Sequence, residues 1–156
     1  MIVSTRLGEL TLVASGSALA GVYFPHHWVK PMPLSERVAS DPVLSEAARQ
    51  LGEYLDGART AFDLPTTLNG DDFQRRVWAR LEEIPFGTTT TYGELAAEVG
   101  GHAQLVGKAV GQNPLSIVIP CHRVVGKNGA LTGYAGGLKR KQLLLDLEEP
   151  AGVRLF

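Results

Sequence analysis

Ile119-Pro120-Cys121-His122-Arg123-Val124-Val125 holds the only cysteine of a 156-residue chain. The segment follows an apolar, β-branched run, Leu115 to Ile119, and precedes a Gly-rich basic loop. A thiolate, not a thiol, is the nucleophile, and the neighbouring His122 and Arg123 are expected to favour the ionised form. One cysteine can form neither an internal disulfide nor a multi-thiolate metal site. Two readings compete: a nucleophile primed by basic neighbours, and a solitary buried thiol closing a strand, the commoner fate of single cysteines. The rest of the chain must decide between them.

Outward from this segment the charge pattern is one-sided. The formal net charge is only -1, yet no acidic residue lies between Glu98 and Asp146. Lys108, Arg123, Lys127, Lys139, Arg140 and Lys141 all fall in that window, with His102 and His122. A one-sign field around a candidate nucleophile favours a polyanionic partner over an ordinary solvated basic face. No apolar run approaches the length of a membrane span, so no membrane partner is expected. The N-terminus lacks the charged start and long apolar core of a secretory signal. With a free thiol, this fits a reducing cytoplasm.

The elements on either side form two halves. Leu10–Ala14 and Ala20–Phe24 read as strands with a Gly16-Ser17 turn between them. Pro25 to Pro33 reads as loop, and Asp41-Pro42 as the start of a helix running to about Asp56. Phe62 to Leu68 looks extended, and Asn69-Gly70 marks the boundary between domains 1–68 and 69–156. Phe73, Val77, Leu81 and Ile84 make the buried face of a helix that opens after Asp71. Tyr92–Val99 and a second short helix from about Ala103 to Gln112, joined by Gly100-Gly101, match the outline of a helix-turn-helix. A last helix starts at Leu138 and ends near Glu148, with Leu143, Leu144 and Leu147 expected inward.

Several short stretches, in order, carry a resemblance. They are Asp72-Phe73-Gln74-Arg75-Arg76-Val77-Trp78, Ile84-Pro85-Phe86-Gly87, Thr91-Tyr92-Gly93-Glu94-Leu95-Ala96, Asn113-Pro114, the Cys121 segment, and Gly133-Tyr134-Ala135-Gly136-Gly137-Leu138. Lys141 and the run from Leu143 to Glu148 complete the set. Residues from about 71 to 148 thus resemble the C-terminal domain of the O6-alkylguanine-DNA alkyltransferases, or methylated-DNA–protein-cysteine methyltransferases. The resemblance implies an α+β fold: a small α/β N-terminal domain of strands plus one helix, then a mainly helical, winged-helix-like domain carrying the helix-turn-helix. It implies repair of O6-alkylguanine in double-stranded DNA. The flipped base would meet Cys121, which keeps the alkyl group irreversibly, so the protein acts once and needs no cofactor.

By the same resemblance His122, polarised by Glu148, draws the Cys121 proton through a water, and Asn113 braces the turn that presents the sulfur. Tyr92, Tyr134, Ala135 and Gly136 would line the base pocket. Gln104, Lys108, Arg123 and Lys141 complete the expected DNA- or substrate-binding set, although Arg123 is better suited to internal pairing. Lys141 has two expected places, beside the nucleophile or facing phosphate. Two positions depart from the family pattern. Gln104 stands where members usually carry an Arg that fills the gap left by the flipped base, after a turn shorter by about two residues. Loss of that one charged contact is expected to weaken DNA binding by ~1–2 kcal/mol. Ala135 stands where Ser is frequent, which leaves the alkyl range, and activity on O4-alkylthymine, open. Some members bind zinc near the N-terminus, but His26-His27 has no cysteine beside it, so no metal is assigned.

Three rival readings fit less well. A non-enzymatic lesion-binding sensor of the same fold has no use for Cys121. A turnover hydrolase built on Cys121, His122 and Glu148 would pair a Cys and a His adjacent in sequence, whereas papain-type enzymes keep them far apart and adjacent side chains rarely align for general-base work without a bridging water. A plain helix-turn-helix transcription factor leaves Pro120-Cys121-His122-Arg123 without a purpose. A monomer acting in the cytoplasm, at the nucleoid when on DNA, is the expected state.

Overall fold

Alternation of apolar and polar residues from Ile2 to Tyr23 folds into an antiparallel sheet. A computed structural model describes residues 1–25 and 42–149; the expected loop beyond Pro25, His26-His27 and the Asp41 cap lie outside these described residues. The sheet contains β1 (Ile2–Thr5), β2 (Gly8–Ser15) and β3 (Ala18–Tyr23) in the order β1-β2-β3. Leu10, Leu12, Leu19 and Val22 leave no exposed surface. Against this sheet packs α1 (Pro42–Leu55), whose buried stripe is Val43, Leu44, Ala47, Leu51, Tyr54 and Leu55. Phe62 to Leu68 forms no full strand: only Thr66 bridges, in parallel, to Leu19. The chain divides into two compact units, Met1–Asn69 together with Pro114–Val118, and Gly70–Asn113 together with the residues from Ile119 onward.

The apolar, β-branched run from Leu115 to Ile119 forms no named strand. Leu115 bridges Val22 in parallel, and the Val22 amide donates to the Pro114 carbonyl at 2.8 Å. The chain then turns at Ile117, where φ is 73° and the Val118 amide donates to the Ser116 carbonyl at 2.8 Å. That is a γ-turn of the rare positive-φ kind, strained for a β-branched residue by about 1–3 kcal/mol. It is held by burial, since Leu115, Ser116 and Ile117 are all within 1% of complete burial.

The second unit contains α2 (Asp72–Glu82), α3 (Tyr92–Val99), α4 (Ala103–Gly111) and α5 (Leu138–Glu148), with the two-residue strands β4 (Thr90–Thr91) and β5 (Val124–Val125). Asp71 caps α2 in a reciprocal box with Gln74. Trp78, on that helix, donates its indole N–H to the Ala109 carbonyl at 2.8 Å, which ties α2 to α4. Thr91 caps α3 through the Glu94 amide, and Gly100, at φ 78°, ends it in the left-handed conformation that favours glycine. The α3–α4 pair is the helix-turn-helix expected from the sequence. β4 pairs in parallel with β5, Thr90 to Val124 and Thr91 to Val125. That pairing sets the residues just after Cys121 beside the start of α3.

Along α5 the buried residues are Lys141, Leu144 and Glu148. Of the three leucines expected inward, Leu144 is fully buried, Leu147 is half-buried and Leu143 is 45% exposed. The stripe i, i+3, i+7 is fixed by two charged side chains with buried partners, and a hydrophobic reading of the helix cannot see that phase.

Candidate active site

Cys121 opens a single 3-10 turn, Cys121–Arg123, that follows Pro120. Proline fixes φ at -78° there, and with ψ at 65° the Cys121 amide turns back to the Ile119 carbonyl at 2.7 Å. The Asn113 side-chain amide donates to the same carbonyl at 2.9 Å, bracing the turn from the end of α4. The sulfur therefore has little backbone freedom. Cys121 is 5% exposed.

Behind it lies a buried charge network. His122 Nε2 and Glu148 Oε2 are 2.8 Å apart, and Glu148 is only 2% exposed. Arg123 donates to both oxygens of the same carboxylate, from Nε at 2.8 Å and from its second terminal nitrogen at 2.8 Å. Its remaining terminal nitrogen donates to the Ile84 carbonyl at 2.6 Å. A carboxylate accepting at Nε2 requires the proton there, so the lone pair sits on Nδ1. Nδ1 is buried and has no partner among the described protein atoms.

Electrostatics correct one expectation from the sequence. Burial pushes the Cys121 thiol above its ordinary range, against hydrogen bonding from Asn113, the Lys141 charge and hydrogen bonding from Tyr134. Burial likewise holds His122 below the ordinary imidazole value, opposed by Glu148. The basic neighbours do not ionise the thiol: Arg123 is consumed by Glu148, and His122 rests neutral. Desolvation outweighs adjacency.

The remaining sequence candidates separate by burial. Arg123 is corrected as a DNA or substrate contact, because its guanidinium is buried on Glu148 and Ile84. Lys141 cannot face phosphate, because it is fully buried, donates to the Thr132 carbonyl at 3.2 Å and interacts with Cys121. Tyr92 is half-buried beside Cys121, with its hydroxyl 3.2 Å from that of Thr132. Tyr134 and Gly136 are buried, and Ala135 is half-buried. Gln104 and Lys108 are exposed on α4 with Leu105. Two contributors have no sequence signature: the Ile84 carbonyl, a backbone group, and Thr132, one polar residue in a glycine-rich loop.

A cavity of about 360 Å³ has Glu148 in its wall, with Thr88, Val125, Leu145 and Asp146, but not Cys121. Among the described residues no group of His, Cys, Asp and Glu could hold a metal ion. No helix among them is long and apolar enough to cross a membrane.

Residues 72–150 match the 6-O-methylguanine DNA methyltransferase, DNA binding domain, and residues 2–68 the ribonuclease-like domain of the same methyltransferase. A methylated-DNA–protein-cysteine methyltransferase of Mycolicibacterium paratuberculosis is 54% identical over 159 residues, covering 99% of this chain and 96% of that protein. An inducible one from Bacillus subtilis is 43% identical over 157 residues, covering 99% and 86%. The crystal structure of Mycobacterium tuberculosis OGT in complex with DNA superposes with a TM-score of 0.86 at 41% identity, covering 96% of this chain and 94% of that one.

Proposed function

The chain belongs to the 6-O-methylguanine DNA methyltransferase family, and on that premise we propose that it repairs O6-alkylguanine in DNA by moving the alkyl group onto Cys121. The observation that carries this reading is the buried His122–Glu148 pair immediately behind the sole cysteine. Thiol and imidazole both rest neutral, one held up and the other held down by the same burial. A neutral imidazole with a free Nδ1 is a competent base, and the thiol stays inert until that base takes its proton.

The sulfur attacks the alkyl carbon. The S–C bond forms as the C–O6 bond breaks, and the electron pair stays on the guanine, which takes a proton from solvent in exchange for the one the thiol passes to His122, later released to solvent. The proton leaving Cys121 passes through a bridging water to His122 Nδ1, while Glu148 and Arg123 hold the ring in the tautomer that can receive it. Asn113 fixes the turn, and the Lys141 ammonium stabilises the developing thiolate. The product is a thioether, which water does not cleave, so each molecule acts once.

The target oxygen lies in a base pair, so the base leaves the stack before it meets the sulfur. The helix-turn-helix supplies the contact surface. Gln104 and Lys108 lie on the outward arc of α4, in a window that contains no acidic residue. A relative of the same fold crystallised in complex with DNA supports DNA as the partner. Tyr92, Tyr134, Ala135 and Gly136 receive the base. The protein acts as a monomer in the cytoplasm, at the nucleoid when on DNA. A sensor that only binds lesions is disfavoured by the acceptor thiol itself.

Intact-mass measurement after mixing with O6-methylguanine duplex tests the reading. It predicts a gain of one methyl group, absent in Cys121→Ala, which still binds the lesion. No gain in the wild-type protein would reject it.

A further inference from the structure

Thr132 joins two side chains of the Cys121 neighbourhood, Tyr92 and Lys141. Its hydroxyl donates to the Tyr92 hydroxyl oxygen at 3.2 Å, and its carbonyl accepts from Lys141 Nζ at 3.2 Å. Both partners interact electrostatically with Cys121, so one loop residue connects to the nucleophile by two routes. The loop runs between β5 and α5, and Thr132 reaches the start of α3 on one side and the buried stripe of α5 on the other.

The rotamer is held. A Cβ built on Gly126 would lie 2.9 Å from the Thr132 methyl, so that methyl packs directly on the glycine backbone. The Gly126 amide closes the loop on the Ala130 carbonyl at 2.7 Å. A β-branched side chain with one arm packed has its other arm aimed, here at Tyr92. A tyrosine oxygen that accepts from Thr132 keeps its own proton free to donate elsewhere.

We propose that Thr132 is a positioning residue for the transfer: its hydroxyl turns the Tyr92 O–H toward the incoming base, and its carbonyl anchors the Lys141 ammonium beside Cys121. The proposal rests on Cys121 as alkyl acceptor. Its two halves are separable, because the first is carried by the side chain and the second by the backbone. Thr132→Val keeps shape and carbonyl but removes the hydroxyl.

Single-turnover transfer from O6-methylguanine duplex is measured for Thr132→Val, Thr132→Ser, Tyr92→Phe and the Thr132→Val/Tyr92→Phe double variant, beside alkylation of Cys121 by iodoacetamide, which contains no purine. Thr132→Val slows transfer by about tenfold, the order of one lost hydrogen bond, and Thr132→Ser, which keeps the hydroxyl without the packed methyl, recovers part of that loss. The double variant is no slower than Tyr92→Phe, since two residues acting through one interaction are non-additive. The iodoacetamide rate is unchanged in Thr132→Val. Wild-type transfer by Thr132→Val, multiplicative losses in the double variant, or an equal loss with iodoacetamide would each overturn the proposal. A wild-type protein that reacts with iodoacetamide but takes no methyl group would overturn the functional reading with it.

Discussion

Glu148→Gln changes almost no volume and removes one charge from a site that is 2% exposed. The carboxylate receives His122 Nε2 at 2.8 Å and two Arg123 nitrogens, each at 2.8 Å. With glutamine there, Arg123 is a buried cation whose remaining strong acceptor is the Ile84 carbonyl. Breaking a buried pair by neutralising one partner costs about 3–5 kcal/mol; because the amide oxygen still accepts, the lower end, about 3 kcal/mol, is expected. The catalytic loss is separate. An amide N–H presented to Nε2 drives the proton to Nδ1, the nitrogen that must stay empty. A comparable tautomer error in the serine-protease triad costs roughly 10⁴-fold. Transfer should therefore fall by on the order of 10³-fold or more, about 4 kcal/mol of barrier. Single-turnover repair of O6-methylguanine duplex, with urea unfolding in parallel, measures both. A Glu148→Gln/Arg123→Met variant removes the orphaned cation and should recover stability but not rate. A folded Glu148→Gln protein that transfers within threefold of wild type would refute the base–orienter argument.

Other consequences follow from the same geometry. Burial holds His122 below its ordinary 6.5, so the unfolded chain binds the extra proton first, and this contribution to stability is lost as pH falls through 6.5. Urea unfolding should show a slope approaching about 1.4 kcal/mol per pH unit below that point, and the His122→Asn variant should lack it. Gln104→Arg, on the exposed face of α4, should tighten binding to alkylated duplex by ~1–2 kcal/mol and steepen the salt dependence by about one phosphate contact; unchanged titrations at two salt concentrations would contradict it. Lys141→Met exchanges a fully buried ammonium for an apolar chain of similar reach. Its melting temperature should be unchanged or higher, while the pH profile of Cys121 alkylation moves upward. Loss of the folded state instead would show that the ammonium is structural.

What the sequence made legible was whatever rests on local chemistry. The opening of α2 after Asp71 and the Gly100 stop between α3 and α4 follow from residues a few positions apart, whereas the Asn113 brace was implied by the family resemblance. What escaped depends on partners far along the chain. The phase of α5 is set by Glu148 meeting His122 and Arg123, and by Lys141 meeting Thr132, so counting leucines put Leu143 on the wrong face. Internal pairing of Arg123 could be expected from the sequence, but its partners could not: Glu148 and the Ile84 carbonyl lie 25 and 39 residues away. Adjacency of His122 and Arg123 to Cys121 likewise gave the wrong direction for the thiol, because burial is a tertiary quantity. The positive φ of Ile117 has no sequence cue, as a β-branched residue is the least expected occupant of such a turn.

The central claim is that one sulfur accepts one alkyl group and keeps it. With O6-methylguanine duplex in large excess, the guanine restored per protein molecule is counted to completion and the modified peptide is located by mass. The account predicts a single equivalent, carried on Cys121, with no further repair after it is reached. Repair continuing past one equivalent, or an alkyl group found on any other residue, would contradict it.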